Sequence, residues 1–276
     1  MHPKDINLSA AVIRSIDNKR AARGVELDTG EVGASSVQYC LRRQWYSLTS
    51  TEVTDGADDF EKYKLYQGDI SEAEMAELME LNEPYFVENY SEDFAPIVNP
   101  IPGMRHSPDR ILYEEDRMQP GLYKAICPIE FKNLDTYTFM KICLNGVKEA
   151  NYPYYVQSML YAYVYGFEGT KFFATCKSPA AVKTDIERKL KSLSKKPGVK
   201  SVVEKEKLLE LNKWSYEEWI PIDMAVIEDA IHRKDIVTLG VQSGIAPERE
   251  YEPGKSWNCD YCPYMRKCME DYGDEI

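Results

Sequence analysis

Hydrophobic and polar positions change their period several times along the chain. Two runs, Asp-Arg-Ile-Leu-Tyr-Glu-Glu from Asp109 and Tyr-Lys-Ala-Ile-Cys-Pro-Ile-Glu-Phe-Lys from Tyr123, are rich in β-branched and aromatic residues and flank a turn carrying Pro120 and Gly121. That pattern predicts an antiparallel hairpin. A helix ending near Gly146, a second helix over YYVQSMLYAYVYG and a strand over KFFATCKS follow. Strands and helices in this order point to an α/β core rather than a helix bundle. Upstream, Tyr63, Tyr66 and Ile70, then Met75, Leu78 and Met79, recur at helical spacing, which predicts one amphipathic helix or two meeting near Gly68. Residues 10–50 read as mainly helical, and Pro96, Pro100 and Pro102 lead into an extended part. Helical pieces broken around Pro197 and Gly198 are expected over 183–208, and a further helix over IDMAVIEDAIHRKDIV.

Composition keeps the chain in the globular class. Its 276 residues are 43% hydrophobic and 12% aromatic, enough for a substantial core. The expectation is one domain, 1–276, with a helical part at 1–60, a core at 61–180, a lysine-rich helical insertion at 181–250 and a cysteine-rich tail at 251–276. No uninterrupted apolar stretch approaches the roughly 20 residues that span a bilayer, and the first residues lack the apolar run of a secretory leader. A cytoplasmic protein without membrane contact is expected.

The net charge of -12 opposes contact with nucleic acid if it is spread evenly. It is not spread evenly. Residues 51–100 hold fourteen Asp or Glu against two Lys, the same excess as the whole chain, so the rest is near neutral. Charges farther apart than a Debye length, about 8 to 10 Å in ordinary salt, are largely screened, so an acidic lobe is compatible with a DNA site elsewhere.

On the second strand of the hairpin, residues two apart share a face, so Glu130 and Lys132 project together while Phe131 points into the core. Asp109, at the start of the neighbouring strand, would bring a second carboxylate beside them. Carboxylate oxygens suit hard Mg2+ or Mn2+ ions, and a lysine beside them can orient water or neutralise a phosphate. A bare E-x-K triplet arises by chance about once in a chain of this length. A second copy, Glu187-Arg188-Lys189, sits in a polar, helix-like region without an apolar approach. Only the copy at Glu130 follows a strand and has a Pro-Asp pair ahead of it.

Pro108-Asp109-Arg110-Ile111 followed by Ile129-Glu130-Phe131-Lys132 resembles the defining motif of the PD-(D/E)XK nucleases. Gly68-Asp69-Ile70-Ser71-Glu72 is similar to the first-helix motif of RecB-like and phage-type exonucleases, with glutamate where the RecB clade often has histidine. Gln157-x-x-x-Tyr161 is similar to the Q-x-x-x-Y motif of RecB-like nucleases, and residues four apart share a helix face. The resemblance implies a restriction-endonuclease-like core, a central mixed sheet flanked by helices. It implies phosphodiester hydrolysis with Asp109, Glu130, Lys132, Glu72, Gln157 and Tyr161 as catalytic residues. The metal ligands it implies are Asp109, Glu130, the Phe131 carbonyl and Glu72.

Seven cysteines in a reducing compartment call for metal ligation or burial rather than disulfides. Cys259-x2-Cys262-x5-Cys268 places three thiols within ten residues and needs a fourth ligand for either zinc or an iron-sulfur cluster. Cys127, Cys143 and Cys176 have apolar neighbours and read as ordinary buried thiols, which leaves Cys40. One cysteine in Ser36-x-x-Tyr39-Cys40-x-Arg42 before the core and three after it resemble the iron-sulfur RecB-like exonucleases, including the CRISPR-adaptation exonuclease family and AddB-type nuclease domains. The resemblance implies a 4Fe-4S cluster on Cys40, Cys259, Cys262 and Cys268 that joins the N- and C-terminal segments; structural Zn2+ is the alternative.

Together these features lead us to expect a Mg2+ or Mn2+-dependent DNA exonuclease acting on single strands or duplex ends in recombination, repair, phage DNA processing or CRISPR adaptation. The alternatives are a structure-specific endonuclease and a non-catalytic DNA-binding or assembly subunit that keeps the fold. A helicase, recombinase or CRISPR-adaptation protein is the kind of partner expected. Arg42, Arg43, Gln157 and Tyr161 are the expected DNA contacts, with Tyr39, Trp45 or Trp257 available for base stacking.

Overall fold

The computed structural model describes residues 31–56, 58, 62–63, 66–68, 70–71, 74–75, 85–88, 97–115, 118–119, 122–195, 199–211, 214–252 and 255–275. The strands are β1 Val32–Gly33, β2 Tyr85–Glu88, β3 Met104–Arg105, β4 Arg110–Glu115, β5 Tyr123–Leu134, β6 Gly169–Cys176 and β7 Ser215–Pro221. The helices are α1 Leu41–Leu48, α2 Thr136–Ala150, α3 Tyr152–Val164, α4 Pro179–Leu193, α5 Val199–Glu210, α6 Met224–Ser243, α7 Trp257–Asp260 and α8 Met265–Glu275. Contacts divide the chain into two compact units. One takes the segment ending at Ser71, Pro102–Arg105 and Asp229 onward, and the other Glu72–Ile101 and His106–Glu228.

The second unit is α/β, with helices packed on a five-stranded mixed sheet of order β2-β4-β5-β6-β7. The expected hairpin is β4 and β5, paired antiparallel from Arg110 opposite Ile129, and β6 then lies parallel to β5 with Glu130 opposite Phe172. Alternation sends Ile129, Phe131 and Phe173 into one buried cluster against which Leu112 and Met75 pack. The helix α3, YPYYVQSMLYAYV, is apolar nearly all round and is correspondingly buried nearly all round, with Val156, Met159, Leu160 and Ala162 fully covered. Asn151 starts it by accepting the Tyr154 N–H, and Asp135 starts α2 by accepting the Thr138 N–H.

Two departures from the sequence expectation occur here. Gly146, expected to end a helix, instead interrupts α2 at φ 79° and ψ 167°, after which the helix resumes to Ala150. Glycine tolerates that backbone conformation. The freed Val147 N–H is satisfied by the Glu218 carboxylate at 2.8 Å. Glu218 belongs to β7, a strand the hydrophobic pattern does not announce, because Ser-Tyr-Glu-Glu-Trp-Ile-Pro is short and acidic and owes its conformation to antiparallel pairing with β6.

In the first unit β1 pairs in parallel with β3. Residues 46–55 are tied to the tail: the Tyr46 hydroxyl donates to Asp271 at 2.5 Å, the Asp55 N–H donates to the Pro263 carbonyl at 3.0 Å, and Asp55 pairs with Arg266 at 2.8 Å. The expected helices over 10–30 lie outside the described residues, as does most of 60–81, although residues 62–63, 66–68, 70–71 and 74–75 are helical. Among the described residues no helix is long and apolar enough to cross a membrane.

Gly169 sits where β6 and β7 approach most closely. A Cβ there would lie 2.5 Å from the Ile220 carbonyl oxygen and 2.6 Å from the Trp219 ring. Gly169→Ala is therefore expected to destabilise the protein by about 1 to 3 kcal/mol, the range for overpacking, seen as a lower urea midpoint. An unchanged midpoint would show that β7 does not hold this register.

Candidate functional site

Six of the sequence-selected residues, Asp109, Glu130, Phe131, Lys132, Gln157 and Tyr161, meet in the second unit. Glu130 lies on β5, the middle strand of the sheet, and its side chain is 0% exposed, whereas Asp109 and Lys132 keep 18% and 21% of their side-chain surface. A carboxylate buried to that degree stays ionised only with a positive partner. The partner is Lys132, two residues along the same strand, whose ammonium contacts Glu130 Oε1. The same ammonium donates to the Phe131 carbonyl at 2.9 Å and stands 3.6 Å from Asp109 Oδ2. Asp109 is fixed in turn, because its Oδ2 accepts the Phe131 N–H at 2.9 Å. Burial disfavours the charge on Lys132, but Glu130 and Asp109 together outweigh it and hold the pKa above the ordinary lysine value. Lys132 is thus a fixed cation in this arrangement rather than a proton acceptor.

Helix α3 brings Gln157 and Tyr161 to the same place. Gln157 Nε2 donates to the Tyr161 hydroxyl at 2.9 Å, and the two residues are 6% and 4% exposed. Burial first, then the negative charges of Glu130 and Asp109, raise the Tyr161 pKa well above its usual value, with Gln157 and Lys132 acting the other way. The phenol is kept neutral and able to donate. Tyr154, which the sequence reading did not select, places its ring 5.3 Å from the Lys132 ammonium and stacks on Phe172. Its signal was its spacing, three before Gln157 and seven before Tyr161 on one helix face. His106 bonds Tyr165 at 3.2 Å, a structural contact. Glu72 lies outside the described residues.

Three oxygen donors, from Glu130, Asp109 and the Phe131 carbonyl, thus surround one cationic nitrogen. An oxygen-only set of this kind suits a hard divalent ion. Among the described residues no three His, Cys, Asp or Glu side chains are grouped to hold an ion. Mg2+ needs no such group, since it is commonly held by one or two carboxylates together with water and substrate phosphate.

In the first unit Cys40, Cys259, Cys262 and Cys268 line one cavity, together with Arg42, Arg43 and Arg249. Burial pushes the Cys262 thiol up, opposed by the Tyr264 N–H and Arg43 and reinforced by Cys40 and Cys268 nearby. Arg249 Nε lies 3.4 Å from Cys268 Sγ. Cys40 is positioned by residues the sequence reading missed. Arg233 donates to the Val37 and Tyr39 carbonyls at 3.1 and 2.9 Å and pairs with both oxygens of Glu250, which accepts the Leu41 N–H at 2.8 Å. Those partners lie about 200 positions from the loop they hold, so no local pattern reveals them. Cys127 and Cys143 are not part of the cavity, and burial raises their thiols to about 11 and about 12.

Arg42 and Arg43, two of the expected DNA contacts, lie on α1. Arg42, expected on a DNA-facing surface, is 7% exposed and lines the cysteine cavity, because α1 turns it inward. Arg43 lies 4.0 Å over the exposed Tyr39 ring and donates to the Tyr261 carbonyl.

No protein-family model matches the chain, and no curated protein sequence matches it. Among solved structures it is similar to an alkaline exonuclease (LHK-Exo) from Laribacter hongkongensis, with TM-score 0.46 and 13% identity over 90% of this chain and 95% of that one. The same exonuclease in complex with dAMP gives TM-score 0.46 and 12% identity over the same shares. SSO0001 gives TM-score 0.48 and 12% identity over 95% of this chain and 96% of that one. Likenesses this distant carry no functional weight, and the residues of the chain itself must supply it.

The Glu130–Lys132 pair has a measurable signature. Lys132→Met alone should cost about 3 to 5 kcal/mol, because it strands a buried charge, and adding Glu130→Gln should restore most of that loss in urea unfolding. Costs that simply add would mean that the two groups do not depend on one another.

Proposed function

We propose that the chain is a metal-dependent deoxyribonuclease acting at DNA ends, and that its cysteine cavity holds a 4Fe-4S cluster. The observation that carries the nuclease reading is the convergence of Asp109, Glu130 and the Phe131 carbonyl on the Lys132 ammonium. Mg2+ or Mn2+ held by those oxygens would supply Lewis acidity and an activated water. The other groups are the chain's own. Lys132 offers a fixed positive charge to a phosphate, and Tyr161, kept protonated and oriented by Gln157, offers a hydroxyl to a phosphate oxygen. Phe131 and Phe173 pack edge to face in the core on the other side of the strand that carries the site. The preference for ends over internal positions rests on the sequence resemblance at Asp109, Glu130, Lys132, Gln157 and Tyr161.

The cluster reading rests on the four thiols of one cavity. Four thiols can each take one iron of a polynuclear cluster, as they could together take one tetrahedral zinc; the choice of iron rests on the sequence resemblance at Cys40, Cys259, Cys262 and Cys268. Its role would be structural, with ligand binding adding folding free energy.

Four experiments test the proposal. End-labelled linear DNA should be degraded in the presence of Mn2+ and protected by EDTA, while a covalently closed circle survives. Lys132→Ala should lower turnover on the order of 100-fold or more with DNA binding nearly intact, and equal turnover in that variant removes the assignment. Protein purified without oxygen should be coloured and contain iron. Cys259→Ala should lose colour and thermal stability together, and a colourless, zinc-containing preparation rejects the cluster.

A further inference from the structure

The Lys132 ammonium does not sit beside the three oxygen donors; it sits among them. It contacts Glu130 Oε1, donates to the Phe131 carbonyl at 2.9 Å and lies 3.6 Å from Asp109 Oδ2. The Tyr154 ring faces the same nitrogen at 5.3 Å. One oxygen from each of Glu130, Phe131 and Asp109 is therefore directed at a cation that the chain already carries. Two cations cannot share that space, because like charges at contact distance repel.

We propose that Lys132 is a tethered counter-ion that fills the cation position in the metal-free protein and leaves it when a divalent ion binds. This rests on the nuclease reading and extends it to how the site is loaded. Burial of Glu130 makes the device necessary. With its side chain 0% exposed, the carboxylate needs a positive charge beside it in every state of the protein, and the lysine provides one until a metal takes over. The lysine stem makes it feasible, because four methylene groups with free rotation let the ammonium move while the strand stays in register. The side chain keeps 21% of its surface exposed although its ammonium is buried, so the stem borders solvent. One consequence is that metal must compete with an internal cation, so apparent metal affinity is lowered by the fraction of molecules in which the ammonium is in place. Another is that the ammonium is released toward the open side of the site only when the ion is present, which couples the appearance of a free positive charge to metal loading.

The test needs no turnover. A bound ion near a lysine ordinarily shields it from reagents, and the counter-ion role predicts the opposite sign. Wild-type protein is acetylated briefly with an N-hydroxysuccinimide ester, with and without Mn2+. Modification of Lys132 is read by mass spectrometry, with Lys171 and Lys148 as internal references, and Mn2+ binding is followed by the loss of the free-ion electron paramagnetic resonance signal. The expected result is a rise in Lys132 modification on the order of tenfold or more on Mn2+ binding, as the sequestered fraction is released, with the reference lysines unchanged. Mn2+ bound with Lys132 modification unchanged or reduced overturns the inference and leaves the nuclease reading standing. Failure of Mn2+ to bind overturns both, and the EDTA-sensitive cleavage predicted above then fails as well.

Discussion

A carboxylate with no access to water governs this structure. Glu130 lies in the middle strand of a five-stranded sheet, under side chains of the neighbouring strands, and a lone charge there would be too costly to keep. The alternation of β5 answers the problem locally. Its next residue on the same face is Lys132, and the residue between, Phe131, contributes its ring to the core, its carbonyl to the lysine and its N–H to Asp109. Three consecutive residues thus serve the core and the site at once. A shift of one residue in register would turn Lys132 toward the apolar cluster and Phe131 toward the site, so the site and the core specify the same pairing.

The charges on that strand also set the character of the helix above it. Tyr161 and Gln157 come from a helix that is apolar on nearly every side, and their polar ends are tolerated because they bond one another near the ionised pair. The phenol stays neutral and Lys132 stays charged because both keep their protons: burial raises the pKa of the phenol and opposes the charge on the lysine, and Glu130 and Asp109 raise both.

The other unit solves a different problem, that of holding a short loop still. Cys40 ends a turn and begins a two-turn helix, and neither element is stable by itself. Arg233 and Glu250 take up the loop's carbonyls and the first N–H of the helix, so that the loop is fixed by groups far away in the chain. Arg42, Arg43 and Arg249 around the cavity place positive charge beside its four cysteines.

Much of this was written locally in the sequence. The hairpin of β4 and β5, α3 and β6 were legible because apolar periodicity is a property of neighbouring residues, and the meeting of Glu130 with Lys132 follows from the two-residue repeat of a strand. The cysteines of the cavity were legible as types and spacings. The structure alone decided what depends on distant partners. β7 is a strand because β6 offers it an edge, and Gly146 breaks α2 without ending it because Glu218 from β7 caps the break. Arg42 faces inward because α1 packs on that side, and Tyr154 joins the site because Phe172 lies beneath its ring. Local pattern fixes which face a residue occupies; what that face meets is set by contacts between residues far apart in the chain, and no short window of sequence contains both partners.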